Sequence, residues 1–292
     1  MKIGIYNLEP QVINTALMQV SKYHKDKGDQ VELYSPLEKY DKVYAFSIFK
    51  YTDKGYVKKD MVCGGSGFDI KTKLPRDIEG CDYDWSIYPK CDFSIVWFSR
   101  GCIRNCPFCI VRDKEGLIHS VKPKNLNPSG KHIKVTDNNF FANPKWKEAI
   151  KQLKEWNQPV EFQCGIDVRL FNEEQGKALQ ELTIRNMLHT AWDNPKEDLR
   201  NKFKLLSKFI KPYRIMSFVL IGYWSTPQED LFRVMELKKL GMNPFVMPYN
   251  KRDKYQKAFA RYVNHKAIFM SISWEEYKKN PHKPISKYQR TL

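Results

Sequence analysis

From Phe93 onward the sequence repeats one unit that few folds accommodate: a short apolar segment, a side chain suited to cap a helix, a helical stretch, then another apolar segment. The segments at residues 93–98, 132–136, 160–166, 187–191, 215–221 and 245–247 are strand-sized. Three of the intervening helices announce their starts, with Asn143 before Pro144, Asn194 before Pro195 and Thr226 before Pro227. Proline is preorganised for the first helical position, and the polar residue before it can accept a hydrogen bond from an orphan amide. Glu197 and Glu229 lie three residues beyond Asn194 and Thr226 and complete capping boxes. Such alternation predicts a parallel sheet covered by helices, doubly wound or curled into a barrel, with its chemistry at the C-terminal ends of the strands.

The flanks differ in rhythm. Residues 3–6 are apolar, and Val12, Ile13, Ala16, Leu17, Val20 and Tyr23 then recur at helical spacing, with Gly28 placed to end the helix. Residues 31–34 and 43–48 read as strands, so the front of the chain is a small α/β unit whose sheet is expected to be parallel. Residues 64–90, with Gly64, Gly65, Gly67, Pro75 and Pro89, read as a connection. Near the end, Tyr255, Ala258, Phe259, Tyr262 and Val263 form a helical stripe, Ser273 and Glu276 form a capping box, and a basic tail after Pro281 is expected to fray. The expected division is 1–85, 86–250 and 251–292.

Lys and Arg number 50 against 33 Asp and Glu, a net charge of +17, which admits nucleic acid as a partner. The lysines are spread along the chain, as on an ordinary solvated surface. Asn7, Glu9 and Gln11 interrupt the first apolar stretch, which argues against a secretory leader, and no apolar run approaches the ~18 residues of a membrane span. Seven cysteines, three of them within residues 102–109, point to metal ligation in a reducing compartment rather than to a disulfide framework. A soluble cytoplasmic protein is expected.

Those three cysteines lie in Ser99-Arg100-Gly101-Cys102-Ile103-Arg104-Asn105-Cys106-Pro107-Phe108-Cys109, directly after the first strand of the repeating region. Three thiolates suit an iron–sulfur cubane and leave its fourth iron open to an exogenous ligand. A zinc site needs a fourth ligand in a second pair; His119 is ten residues past Cys109, and the chain has no second Cys-x-x-Cys. Buried structural thiols are the other alternative, but Gly, Pro and Asn around the cysteines are not core composition.

Cys102, Cys106 and Cys109, with Phe108 before the last, match the Cys-x-x-x-Cys-x-aromatic-Cys motif of the radical S-adenosylmethionine superfamily. Arg100-Gly101-Cys102 and Lys114-Glu115-Gly116 resemble a subgroup in which a cobalamin-binding-like, Rossmann- or flavodoxin-like domain precedes the radical domain. The resemblance implies a partial (β/α)6 TIM-like barrel, followed here by short helices. It implies a 4Fe-4S cluster on the three cysteines, chelation of the open iron by S-adenosylmethionine, and one-electron cleavage to a 5′-deoxyadenosyl radical that takes hydrogen from a substrate the sequence does not name. The reductant would be of the flavodoxin or ferredoxin kind.

Further cofactor contacts follow from the resemblance where residues match. Phe108 looks like the residue that packs near the adenine. The Gly-Gly-Glu element that follows the second strand in relatives is missing; Asp137 and Asn138 stand there as polar substitutes. Asp193 resembles an acidic position after the fourth strand, a turn residue being the alternative, and Gly222 resembles the fifth-strand glycine that lets adenine approach the backbone. Asp167 and Arg169 point to the barrel mouth or to a salt bridge at its rim, and Cys164 to a hydrogen donor or a buried structural thiol. No Asp-x-His-x-x-Gly loop occurs, and the early His24 falls at the polar end of the first helix, so cobalamin is not expected.

Two alternatives remain. One is a methylthiotransferase-like or other radical enzyme that modifies RNA or nucleotides; methylthiotransferases also place an α/β domain first, but Cys63, Cys81 and Cys91 do not reproduce their spacing. A non-catalytic, metal-containing nucleic-acid-binding protein would grip bases with Tyr255, Tyr262, Trp274 and Tyr277 among the basic residues near the end, although those aromatics also fall at core spacing.

Overall fold

The opening apolar run forms β1 (Lys2–Asn7), and α1 (Thr15–Asp26) starts where the Asn14 side chain accepts the Leu17 amide. Gly28, at φ +80°, ends the helix as expected: its amide and that of Asp29 reach back to the Lys25 and His24 carbonyls. β2 (Gln30–Leu33), β3 (Lys42–Phe46) and β4 (Val62–Gly64) complete a sheet of order β2-β1-β3-β4, parallel throughout. Three residues in a glycine-rich stretch carry no strand signal of their own, so β4 exists because β3 offers it a ladder. Ile3, Ile5, Leu17, Val20, Tyr44 and Phe46 form the core, closed by Ile78 of α2 (Arg76–Glu79).

This computed structural model describes residues 1–279, so the tail after Pro281 lies outside the described residues. The chain is mixed α/β and divides into two units, Met1–Asn138 and the residues from Asn139 on. Residues 64–90 do not run free of the first unit: Tyr83, Trp85 and Cys91 bury against Met18 of α1. His24 is also not on a solvated helix end. It is buried, with Nδ1 2.6 Å from Asp29 and Nε2 3.0 Å from the Tyr44 hydroxyl.

The strand expected over 93–98 is split. β5 (Ser94–Val96) pairs in parallel with β8 (Ile133–Val135), while β6 (Ser99–Arg100) pairs antiparallel with β7 (His119–Ser120), and α3 (Val111–Glu115) lies between. The cysteine loop therefore belongs to the crossover that joins β5 to its parallel neighbour β8.

In the second unit α4 (Trp146–Trp156), β9 (Val160–Phe162), α5 (Glu173–Gln180), β10 (Leu188–Ala191), α6 (Arg200–Ser207), β11 (Ile215–Ile221), α7 (Pro227–Lys239) and β12 (Asn243–Pro248) alternate as the periodicity predicts. β10, β11 and β12 form a parallel sheet in that order. Along β11, Ile215, Ser217, Val219 and Ile221 are buried while Met216, Phe218 and Leu220 are half-buried, so the two faces have different neighbours. The strand pairings close no barrel among the described residues.

Of the three Pro-marked starts, only Thr226 caps its helix directly, with the full Glu229 box. Asn143 and Asn194 instead accept the Lys145 and Lys196 amides in turns, and α4 and α6 begin later. α5 has an unanticipated capping box from Asn172 and Gln175.

Three helices follow: α8 (Lys254–Asn264), α9 (Lys266–Ser271) and α10 (Trp274–Lys279), the last with the expected Ser273–Glu276 box. Phe259, Tyr262, Phe269, Trp274 and Tyr277 bury together, with the Tyr262 and Trp274 rings 5.3 Å apart. Tyr262, Trp274 and Tyr277 are therefore core and cannot grip bases. No helix among the described residues is long and apolar enough to cross a membrane.

Candidate functional site

The cysteine loop begins at a glycine no other residue can replace without movement. Gly101 has φ +78°, and a Cβ there would lie 2.4 Å from the Leu117 carbonyl oxygen. Past it, the Cys102 amide reaches the Gly116 carbonyl, Arg112 Nη1 donates to the Cys102 carbonyl at 3.1 Å, and the Cys109 amide closes a turn on the Cys106 carbonyl at 2.9 Å. The Cys102 thiol sulfur accepts the Arg104 amide at 3.3 Å. All three cysteines are half-buried, as is Phe108, so the loop is neither core nor fully solvated.

Glu115, at the end of α3, gathers the frame. One carboxylate oxygen takes Arg100 Nη2 at 2.8 Å; the other takes the Gly101 amide at 3.0 Å and Asn138 Nδ2 at 2.8 Å. Arg100 also lies over the Trp97 ring, 4.7 Å from its centroid. Nothing local in the sequence marks Glu115 as the residue that joins the start of the loop to Asn138, beyond β8.

Asp137 works from beneath. It is 1 % exposed, and its carboxylate accepts the Phe98 amide at 2.8 Å and the Ser99 hydroxyl. Burial pushes this carboxyl up to about 6, against the opposing effect of the Ser99 and Phe98 hydrogen bonds. Asp137 and Asn138 thus fix the strand and loop that carry the cysteines.

The remaining predicted residues lie in the second unit. Asp193, after β10, accepts the Leu220 amide at 3.1 Å, and burial raises its carboxyl above the ordinary aspartate range. Gly222, at φ +75°, is approached by Gln256 of α8: a Cβ there would meet Gln256 Nε2 at 2.1 Å. The ends of β10 and β11 are tied by Arg233, fully buried, which donates through Nη1 to the Trp192, Asp193 and Leu220 carbonyls and pairs with Asp230 at 2.7 Å. Burial raises the Asp230 carboxyl, while Ser225, Arg233 and Tyr255 oppose that rise. An arginine in the middle of an amphipathic helix reads as surface, so this clamp was not legible in the sequence. Asp167 and Arg169 form an ion pair, at 2.6 Å, with Glu197 as a second partner of Arg169. Cys164 is exposed, which corrects the buried-thiol reading.

The donor chemistry of the loop, three thiols held by one short frame, fits a soft metal centre. Among the described residues no three His, Cys, Asp or Glu side chains are gathered as a metal-holding group, so the ligand assignment rests on the motif and on the loop's place in the fold. Cys91 is core, Cys63 and Cys81 are half-buried, and burial raises the thiols of the latter two.

No protein-family model matches the chain, and no curated protein matches it.

Proposed function

We propose that this chain is a radical S-adenosylmethionine enzyme in which Cys102, Cys106 and Cys109 hold a 4Fe-4S cluster within a partial (β/α)6 barrel. The carrying observation is the Cys-x-x-x-Cys-x-Phe-Cys loop set just past the C-terminal end of a parallel strand and framed by Gly101, Arg112 and Glu115. When bound, the cluster and S-adenosylmethionine supply reductive cleavage of a carbon–sulfur bond and a radical able to abstract hydrogen. The chain's own part is positioning. Glu115 and Arg112 hold the loop's shape, Asp137 locks the strand beneath it, and Phe108 offers a half-buried ring beside the last ligand. In the second unit Arg233 ties together the strand ends that carry Asp193 and Gly222.

The test is anaerobic reconstitution with iron and sulfide, reduction in the presence of S-adenosylmethionine, and chromatography of 5′-deoxyadenosine. Product is expected from the native protein and none from Cys106→Ala. Full cluster content in any of the Cys102→Ala, Cys106→Ala or Cys109→Ala variants would overturn the ligand assignment, whereas substitution of Cys63, Cys81, Cys91 or Cys164 should leave the cluster in place.

A further inference from the structure

Tyr262, Trp274 and Tyr277, three of the aromatics considered for gripping bases, are core, but a different aromatic group is exposed, at the ends of β11 and β12. The Tyr249 amide donates to the Ile221 carbonyl at 3.1 Å, which brings the two strand ends together. Tyr223 then sits edge-on to both Trp224 and Tyr249, with ring centroids 5.0 and 4.7 Å away. Trp224 is 43 % and Tyr249 55 % exposed, and along β12 Met247 and Phe245 extend the same exposed row. Large exposed aromatics in contact with one another mark a recognition surface more often than chance, because each leaves substantial apolar area in water.

Charge says what would cover it. Directly after Tyr249 come Lys251, Arg252, Lys254 and Lys257, all exposed. The one carboxylate among them, Asp253, is engaged as the N-cap of α8, accepting the Gln256 amide at 2.8 Å. Exposed rings followed closely in the chain by exposed cations suit a ligand that offers flat bases and a regular row of phosphates.

We propose that the Tyr223–Trp224–Tyr249 face, with Lys251 and Arg252, binds single-stranded nucleic acid by stacking its bases on the rings and pairing its phosphates with the cations. The proposal does not rest on radical chemistry: loss of 5′-deoxyadenosine formation leaves it standing, and loss of strand binding leaves the cluster reading standing.

The test is fluorescence anisotropy with a labelled single-stranded RNA of about 12 nucleotides, alongside an abasic strand of equal length and phosphate count. The native protein should bind the RNA at least about tenfold more tightly than the abasic strand. Trp224→Ala and Tyr249→Ala should each weaken RNA binding about tenfold and leave the abasic strand unaffected. Lys251→Ala with Arg252→Ala should weaken both strands and reduce the slope of log affinity against log salt by about one. Equal binding of the two strands by native protein, or unchanged RNA affinity in both aromatic variants, would overturn the proposal. The abasic comparison uses native protein alone and so does not depend on how any variant folds.

Discussion

Glu9 and Asp137 do the same structural job in two places, and their environments drive them in opposite directions. Each is a buried carboxylate at the end of a parallel strand that ties down a neighbouring segment. For Glu9 burial is the largest single influence and raises its carboxyl, but the Thr52 and Ser47 hydroxyls and the Ile48 and Phe49 amides together outweigh it and hold Glu9 below the ordinary glutamate value. Asp137 has the Ser99 hydroxyl and the amides at Phe98 and Ser99 against deeper burial, and stays at about 6. The balance between burial and the protein's own donors decides which carboxylate is held low and which is pushed up: four donors outweigh burial at Glu9, and deeper burial outweighs the donors at Asp137. The front loop is thus pinned by a permanent charge, and the strand beneath the cysteines by a group that titrates near neutrality.

The largest effect expected from breaking this contrast is at Glu9. Glu9→Ala strands two amides and two hydroxyls and should cost about 3 to 4 kcal/mol in urea unfolding. Because the Glu9 value is depressed in the folded protein, its contribution is present above its unfolded value of 4.5 and is lost as pH falls through the folded value.

Asp137 should give the opposite slope. Its folded value of about 6 exceeds its unfolded 3.8, so its contribution is fully present below 3.8 and is lost as pH rises through about 6. This amounts to about 3 kcal/mol across that window. Asp137→Asn keeps an acceptor for Phe98 and removes the ionisation; stability measured from pH 3 to pH 8 should lose this component of its slope. Retention of the same slope would reassign it to another group. Asp137→Ala leaves the buried Phe98 amide unpaired and should cost about 1 to 3 kcal/mol at pH 4, where Asp137 is mostly protonated in the folded state.

The smallest effect is expected at Glu115. Glu115→Gln keeps one acceptor oxygen, for Gly101 and Asn138, but loses the charge-assisted bond from Arg100, and should cost about 1 to 2 kcal/mol. A loss as large as that of Glu9→Ala would show that the cysteine loop depends on charge as heavily as the front loop does.

Much of the fold was legible because its signals are local. Thr226-Pro227 with Glu229, Ser273 with Glu276, and Gly28 after α1 each satisfy orphan backbone groups within a few residues, so the sequence names both the element and its end. Asn143 and Asn194 show where local chemistry is ambiguous, since a side chain that can cap a helix can equally close a turn. The cysteine loop was visible through its spacing, but its frame was not, because Glu115 meets Gly101 and Asn138 only after the crossover returns to β8.

What the sequence determined by itself was the alternation of strands and helices, the boundaries of the well-capped helices, and the loop able to supply three thiolates. Only the tertiary structure decided that β4 is a strand, that His24, Asp137 and Arg233 are buried, and that Tyr262, Trp274 and Tyr277 are core while Trp224 and Tyr249 face solvent. The division has one physical cause. Periodicity and caps are set by bonds a few residues long, whereas burial, and with it the charge a group carries, depends on neighbours that arrive from elsewhere in the chain.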